Sequence, residues 1–288
     1  MPDKIGIIGN GFVGDAVHYG FSASIDNIKV YDKDHNKSLN TIEEVLDCEF
    51  VFVCLPTPMR KAEGGDADLS ILINFFSYVA EVEATEAIYI LKSTVPVGTT
   101  EMLSSLHEDL KIVHNPEFLT ANNARQDFAN AERTVIGGHP DITRKVSELY
   151  TDFMLEALHE EPILVHSRES ELIKYSANCF LALKVSYFNT IFQLCQGLGI
   201  DFENVIAGTC SDSRIGYSHS SVPGPDGDFG YGGTCFPKDV NAMIKMLNRH
   251  DVNADMLKAS WLQNLSVRKF WDWSNSPSAV TCNNGDQE

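Results

Sequence analysis

The chain has 288 residues, 43% of them hydrophobic and 22% charged, a composition typical of globular proteins and a length that suits two domains. Its formal net charge of −18 argues against nucleic acid or an anionic membrane as a partner, because both bind basic surfaces. Seven cysteines without a CxxC pair predict free thiols in a reducing compartment, and no signal peptide or membrane-spanning apolar run is apparent. We therefore expect a cytoplasmic protein.

The first predicted elements are a buried strand at Lys4–Ile8, a glycine-rich turn, a helix, and a strand at Ile28–Tyr31 that ends on Asp32. The turn follows the pattern G-x-G-x-x-G, which allows a pyrophosphate to approach the backbone at a helix N-terminus. Asp32 would accept hydrogen bonds from the adenosine ribose and repel a 2′-phosphate, so NAD is favoured over NADP. The predicted dinucleotide-binding turn is Gly9, Asn10, Gly11, Phe12, Val13 and Gly14.

Strands then alternate with helices, as in a doubly wound parallel sheet. The further predicted strands are Phe50–Leu55, Ile88–Leu91, Ile112–Val113, Thr134–Ile136 and Ile163–Val165. Polar loops follow three of them and contain Thr57, Thr94 and Glu117. Ligands of such sheets bind outside the carboxyl ends of the strands, so we expect these residues to share one crevice with the glycine turn. For each loop, ordinary turn chemistry is the alternative.

After His166 the pattern becomes helical. Ser167–Leu198 contains no strand breakers and predicts one long helix with Lys174 and Asn178 on one face. Its apolar residues also predict a homodimer interface. The predicted architecture is therefore α/β: a Rossmann-type NAD-binding domain of residues 1–166, an all-helical domain of residues 167–273 and a flexible tail of residues 274–288.

A reactive cysteine is predicted in the stretch Gly230–Asp239. Cys235 stands on a glycine-rich turn just before a helix that Pro237 would open. The partial positive charge of a helix N-terminus lowers a thiol pKa from about 8.5, and Lys238 would add to this effect. Asp239 lies one helical turn further on. The alternative is a buried cysteine that acts as a small hydrophobe, and this stretch alone does not decide between the two.

Seven motifs in chain order resemble those of the nucleotide-sugar 6-dehydrogenase family, most of all the type that acts on UDP-glucose. They are GNGFVG, CLPTP, KSTVPVG, NPEFL, ELIKYSANCFLALKVSYFN, SRIG and GYGGTCFPKD. The resemblance implies a four-electron oxidation, in which a sugar CH₂OH becomes a carboxylate while two NAD⁺ are reduced. Family members normally continue into a further domain that covers the nucleotide, so the resemblance also implies that this domain is lacking here.

The resemblance implies covalent catalysis by Cys235, which would form a thiohemiacetal and then a thioester. Lys174 and Asn178 would stabilise the oxyanions of these steps. Asp239 and Thr94 would position a water that relays protons.

Glu117 would be the base that hydrolyses the thioester. Besides the glycine turn, the positions that match cofactor contacts are Asp32, Lys37, Thr57, Thr94 and Lys238. The positions that match substrate contacts are Glu117, Phe118, Leu119, Lys174, Asn178, Arg214, Gly224, Phe229 and Gly232.

The chain departs from the family's pattern at three points: at Ala121, in the segment between Arg214 and Cys235, which is longer than the usual form, and where it stops before the further domain. Ala121 stands where many members of the family carry a second glutamate. Arg214, read as an anion-binding residue, would otherwise make a surface ion pair. Two other functions also fit the chain. One is a single-step hydroxyacid or alcohol dehydrogenase, which would leave Cys235 and Glu117 without a role, and the other is a non-catalytic NAD-binding protein.

Overall fold

The computed structural model describes residues 4–60, 65–120, 123–154 and 160–281. The chain forms two compact units, one made of Met1–Thr57 and Leu69–Lys174 and the other of Pro58–Asp68 and Tyr175–Glu288. The division thus lies inside the long helix rather than at the predicted boundary near His166.

The strands, in chain order, are β1 (Ile5–Ile8), β2 (Ile28–Tyr31), β3 (Phe50–Val53), β4 (Met59–Arg60), β5 (Asp66–Ala67), β6 (Ile88–Leu91), β7 (Lys111–His114), β8 (Val135–Gly137), β9 (Ile163–Val165) and β10 (Val280–Thr281). The helices are α1 (Phe12–Phe21), α2 (Ile42–Leu46), α3 (Ser70–Glu81), α4 (Thr99–Leu106), α5 (Ala124–Ala129), α6 (Pro140–Phe153), α7 (Ser167–Leu198), α8 (Phe202–Cys210), α9 (Phe236–Arg249) and α10 (Asp255–Val267). None of the helices in the described ranges is long and apolar enough to cross a membrane.

The first unit is built on a seven-stranded sheet of order β2-β1-β3-β6-β7-β8-β9. Its pairs are parallel except β7–β8, which is antiparallel. The predicted doubly wound sheet is therefore confirmed, with one reversed pair that the sequence did not indicate. Every residue of β1, β3 and β6 is buried, which explains why these strands are nearly continuous apolar runs.

Alternate side chains of this sheet enter two separate cores, one on each face. Ile7 and Phe52 pack in a core with Phe21 of α1 and with α6. Val51 and Val53 of β3 pack in the opposite core, which also contains residues of α3 and α4. Since helices cover both faces, the loops at the carboxyl ends of the strands remain as the edge at which ligands of such sheets bind.

Glu171 explains why the start of α7 belongs to the first unit. Its carboxylate accepts hydrogen bonds from the Gly98 N–H at 2.6 Å, the Thr100 N–H at 2.8 Å and the Thr100 hydroxyl at 2.7 Å. Gly98 is the N-cap of α4, where φ is +94° and no side chain is present to cap the helix. Glu171 supplies that cap from α7. Burial raises the pKa of Glu171, and the bonds from Thr100 and Gly98 oppose the rise.

The second unit is mainly helical, as predicted, and also contains a small sheet that the sequence did not indicate. Its three strands are ordered β10-β4-β5, with β10 parallel to β4 and β4 antiparallel to β5. Two of these strands, β4 and β5, come from the stretch between β3 and α3, of which residues 61–64 lie outside the described residues.

The described part of the predicted tail is also folded. A 3₁₀ helix spans Asp272–Asn275 and β10 follows. Trp273, Ala279 and Val280 are buried together with Met59 of β4. The flexible-tail prediction therefore does not hold for residues 274–281, because Ala279 and Val280 are buried and β10 pairs with β4.

Candidate functional site

The four strands that carry predicted site loops end at one edge of the large sheet. Ile8 pairs with Val53, Val53 with Leu91, and Leu91 with His114, and each of these is the last residue of its strand. Because β2 and β3 lie on opposite sides of β1, the chain reverses direction across the sheet between β1 and β3. Such a switch point is where open α/β sheets bind nucleotides.

The glycine turn has the geometry that a dinucleotide needs. Gly9 adopts φ +93°, a left-handed conformation that favours glycine. A Cβ on Gly14 would lie 1.9 Å from the Gly9 carbonyl oxygen, so the third glycine allows α1 to start this close to the turn. A Cβ on Gly11, in contrast, would meet no described atom within 4 Å. Gly11 is the N-cap of α1 and no side chain caps that helix, which suits a pyrophosphate at its N-terminus.

Asp32 is held beside this turn. Its Oδ2 accepts the Asn10 N–H at 2.7 Å and its Oδ1 accepts the Asp34 N–H at 2.8 Å. The Asn10 side chain donates to the Lys37 carbonyl at 2.8 Å, so the loop after β2 is attached to the turn. The three glycines of the turn and Asp32 therefore lie together, and these residues fit NAD.

Thr57 and Thr94 also lie together in the first unit. The Thr57 hydroxyl donates to the Thr94 carbonyl at 2.7 Å, and both residues are buried. The neighbouring Ser93 hydroxyl donates to the Leu55 carbonyl at 2.6 Å, so two bonds connect the loops that follow β3 and β6. This pairing agrees with the expectation that the two loops approach one another.

Glu117 and Lys174 form a buried ion pair. Lys174 Nζ donates to Glu117 Oε1 at 2.9 Å and to the Glu117 carbonyl at 2.5 Å, and the Leu119 N–H donates to Glu117 Oε2 at 2.8 Å. Burial raises the pKa of Glu117, but Lys174, the Leu119 N–H and Lys92 together outweigh burial and hold that pKa below its ordinary value. The carboxylate is therefore ionised at neutral pH, and its bonds are lost only in acid.

The Phe118 ring lies beneath two cations, Arg133 at 4.1 Å from the ring centroid and Lys174 at 5.4 Å. Two of the three Lys174 N–H groups are used by Glu117, and the described residues offer this lysine no other acceptor. One N–H is thus available for an oxyanion.

Lys92 is a buried cation that the sequence interpretation did not single out. It is 3% exposed, and its Nζ donates to Asn115 Oδ1 at 3.0 Å. Burial lowers the pKa of Lys92 to about 8, against the opposing influence of Cys54 and Glu117. The only signal in the sequence is its position as the first residue after the apolar strand β6. Lys92 adds positive potential around Glu117.

In the second unit, the Asp239 carboxylate accepts hydrogen bonds from two of the predicted residues. Asn178 Nδ2 donates to Asp239 Oδ2 at 2.6 Å, and Lys238 Nζ donates to Asp239 Oδ1 at 2.5 Å. Asp239 is fully buried. Cys235 is the N-cap residue of α9, its carbonyl accepts the Asp239 N–H at 2.9 Å, and Pro237 lies in the first turn as predicted. Lys238, which the family resemblance places at the cofactor, donates to the neighbouring Asp239.

Three further predicted substrate residues lie in the segment before Cys235. The Gly224 N–H donates to the Asp228 carbonyl at 2.8 Å, which closes a compact turn. Phe229 packs its ring against Phe192 of α7. Gly232 directly faces Arg268, whose guanidinium would be 1.9 Å from an added Cβ.

Arg214 is placed on the surface. It binds Asp212 through Nη2 at 2.6 Å, and its side chain is 87% exposed. The bonds of Asp212 raise the pKa of Arg214 further. This is the surface ion pair that the sequence analysis gave as the alternative, and it leaves the anion-binding role without support from the described contacts. Ala121 lies outside the described residues.

Chemically, the first unit offers an NAD-shaped turn and a lysine paired with a carboxylate. The second offers a thiol at the N-terminus of α9, with a carboxylate one turn along that helix that accepts a hydrogen bond from an amide of α7. A hydride acceptor, an oxyanion partner and a nucleophile are the groups needed to oxidise an alcohol beyond the aldehyde.

Comparison with known proteins gives family matches over most of the chain. Residues 38–154 match the NAD-binding domain of the UDP-glucose/GDP-mannose dehydrogenase family, and residues 168–265 match its central domain. The two matches together cover well over half of the chain. The first confirms NAD as the cofactor, although the glycine turn precedes the matched range.

Two curated relatives are similar along most of this chain. A UDP-glucose 6-dehydrogenase of Pseudomonas aeruginosa is 35% identical over 239 residues, which are 79% of this chain and 51% of the relative. One of Rhizobium meliloti is 36% identical over 222 residues, or 74% of this chain and 49% of the relative. The chain spans about half the length of the curated relatives it matches.

Solved structures give the same result for the fold. A UDP-glucose dehydrogenase of Pyrobaculum islandicum has a TM-score of 0.80 at 26% identity, covering 92% of this chain and 68% of that one. A 3-hydroxyisobutyrate dehydrogenase of Mycobacterium tuberculosis has a TM-score of 0.68 at 16% identity, covering 91% of this chain and 92% of that one. At that identity the second likeness concerns the fold alone.

The glycine turn provides a matched pair of substitutions. Gly11→Ala adds a methyl group to open space, so we expect the free energy of unfolding to change by no more than about 1 kcal/mol. NAD affinity should fall about tenfold or more, because the methyl group occupies the space into which a pyrophosphate fits.

Gly14→Ala is the contrasting change, since its methyl group would collide with the Gly9 carbonyl and cost about 1–3 kcal/mol or more. Urea unfolding and NAD titration calorimetry measure the two effects. Unaltered NAD affinity in folded Gly11→Ala would contradict the placement of the pyrophosphate.

Proposed function

We propose, because the chain belongs to the UDP-glucose/GDP-mannose dehydrogenase family, that it oxidises the primary alcohol of a nucleotide sugar to a carboxylate with two equivalents of NAD⁺. UDP-glucose is the proposed substrate, since the curated relatives cited above carry that name. The observation that carries the proposal is Cys235 at the N-cap of α9, one helical turn before the buried Asn178–Asp239 pair.

The proposed reaction has two oxidations. In the first, the alcohol loses its hydroxyl proton and a hydride, and an aldehyde forms. The Cys235 thiolate then adds to the aldehyde carbon and gives a thiohemiacetal, which loses a second hydride and becomes a thioester. Water cleaves the C–S bond, releasing the carboxylate and the thiol. NAD⁺ is the acceptor of both hydrides.

Lys174 and Asn178 are proposed to stabilise the oxygen anions of these stages. Lys174 is the better supported of the two, since its charge is buried and one of its N–H groups is available. Asn178 already donates to Asp239, so it would donate to an oxyanion through its second N–H. Asp239 and Thr94 are proposed to position a water that relays protons, and Lys238 is proposed to contact the cofactor.

Glu117 is proposed as the base for thioester hydrolysis. Its carboxylate is ionised at neutral pH and is therefore able to accept a proton. The same ion pair that keeps it ionised makes it a weak base, so we expect hydrolysis to be the slow chemical step.

We also propose that two copies of the chain associate through α7. Four large apolar residues, each more than half exposed, follow one another at spacings of seven, seven and four along this helix: Phe180, Tyr187, Leu194 and Leu198. These spacings place them on one face, and a contiguous apolar face of this kind marks an interaction surface. A cytoplasmic location is proposed because the seven cysteines of the sequence include no CxxC pair.

The proposed chemistry is tested by counting NADH. The unmodified protein should form two NADH per UDP-glucose, whereas Cys235→Ala should form at most one and release an aldehyde that a carbonyl reagent traps. NAD affinity of the variant should be unchanged, and Cys48→Ala, which removes a buried thiol at the end of α2, should still give two NADH.

Each other outcome has a distinct meaning. Uronate formed by Cys235→Ala at the normal rate would exclude the thioester. One NADH per sugar from the unmodified protein would indicate a single-step dehydrogenase, and NAD binding without turnover on a panel of sugars would indicate a non-catalytic protein.

Replacement of Glu117 isolates the hydrolytic step. Glu117→Gln should still form the thioester but accumulate it, because an amide cannot accept a proton from water. Intact-protein mass spectrometry of quenched reactions should detect an adduct on Cys235. Glu86→Gln, at a wholly exposed carboxylate, controls for the loss of one negative charge. Slowed turnover without an adduct would remove Glu117 from this role.

The dimer is tested by analytical ultracentrifugation at micromolar concentration. We expect twice the chain mass of 31.9 kDa, and Tyr187→Glu should shift the protein to monomer, because a buried carboxylate without a partner is costly. Leu106→Glu makes the same change at an exposed leucine of α4 and should leave the mass unaltered. A monomer for the unmodified chain would refute the proposal.

A further inference from the structure

The segment Phe229–Gly233, just before Cys235, lies outside regular secondary structure, and side chains from other elements bind its backbone. Asn264 of α10 makes two bonds to Tyr231: Oδ1 accepts the Tyr231 N–H at 2.7 Å, and Nδ2 donates to the Tyr231 carbonyl at 2.9 Å. Asn264 is 1% exposed, so water does not compete for these bonds. The amide thus binds Tyr231 as a neighbouring strand would.

Arg268, the C-cap residue of α10, binds both sides of the same segment. Its Nη1 donates to the Phe229 carbonyl at 3.3 Å, and its Nη2 donates to Asp226 at 2.6 Å and Asp272 at 3.0 Å. Asp272 in turn accepts the Gly233 N–H at 2.8 Å. One guanidinium therefore connects the loop before the segment with the residue two positions before Cys235.

The glycines of the segment are the complement of these two side chains. Gly230 has φ +66°, and an added Cβ would lie 2.2 Å from Asn264 Oδ1. An added Cβ on Gly232 would lie 1.9 Å from Arg268 Nη2. Each glycine is needed where a side chain from α10 or its C-cap approaches the backbone. The glycines before Cys235 and the polar side chains of Asn264 and Arg268 therefore depend on one another.

We propose that Asn264 and Arg268 are positioning residues for the nucleophilic cysteine. They hold the Phe229–Gly233 backbone and thereby keep Cys235 at the N-terminus of α9, where the helix favours the thiolate. The described hydrogen bonds of both residues go to backbone and carboxylate groups, so they act on the thiol through the chain. The inference rests on the proposed function, in which only the second oxidation uses the thiol.

The test compares two isosteric changes at adjacent residues of α10. Asn264→Asp keeps the acceptor for the Tyr231 N–H but loses the donor to its carbonyl. Gln263→Glu makes the same chemical change in a side chain that donates to Ser186 and Thr190 of α7 instead. Arg268→Lys is the second test variant, since lysine keeps the charge and loses the planar fork.

Two measurements apply to every variant. Iodoacetamide alkylation of Cys235, followed by peptide mass spectrometry at neutral pH, should be about tenfold slower in Asn264→Asp and Arg268→Lys, because a displaced thiol loses the helix N-terminus. With UDP-glucose, NADH per sugar should fall from two towards one as aldehyde escapes. Gln263→Glu should match the unmodified protein in both measurements.

Circular dichroism confirms that each variant is folded, and Arg268→Lys carries the test if Asn264→Asp does not fold. Normal alkylation rates and two NADH per sugar in folded test variants would overturn the inference. If the unmodified protein makes no uronate, the proposed function fails, yet the alkylation comparison still decides whether these residues position the thiol.

Discussion

A buried carboxylate is stable only where donors replace its water, and this requirement governs the polar residues of α7. Glu171 meets it at the N-terminus of α4 in the first unit. In that unit Glu117 accepts a hydrogen bond from Lys174, and in the second unit Asp239 accepts one from Asn178. Glu171, Lys174 and Asn178, spaced three and four residues apart on one helix, therefore each take part in a buried carboxylate interaction, and the proposed catalytic groups are held before any ligand arrives.

The parts of the fold that sequence reasoning predicted depend on local physics. Steric need alone selects Gly9 and Gly14, and burial on both faces makes β1, β3 and β6 recognisable as apolar runs. The small sheet was missed because strands of two residues show no periodicity. Its third strand comes from the end of the chain, where polar composition suggested a loose tail.

The candidate site also contains residues that the sequence predicted and residues that it did not. Glu117 and Thr94 were predicted because each follows a parallel strand, and the motif order of the family named their roles. Lys92, Asn264 and Arg268 were missed, since an ordinary polar residue at a strand end or on a helix acquires its importance only from the backbone or charge it meets in the folded protein. Whether a polar residue is buried is a property of the tertiary structure.

The pairing of β10 with β4 has a consequence for the order in which the chain folds. Thr281 donates to Asp68 across 213 residues of sequence, and such distant contacts form slowly. During synthesis β4 leaves the ribosome about 200 residues before β10, so the two strands pair only after that length of chain has been made. The side of β4 that β10 covers is thus unpaired for a long part of synthesis, and a chaperone that protects unpaired strands would have time to act there.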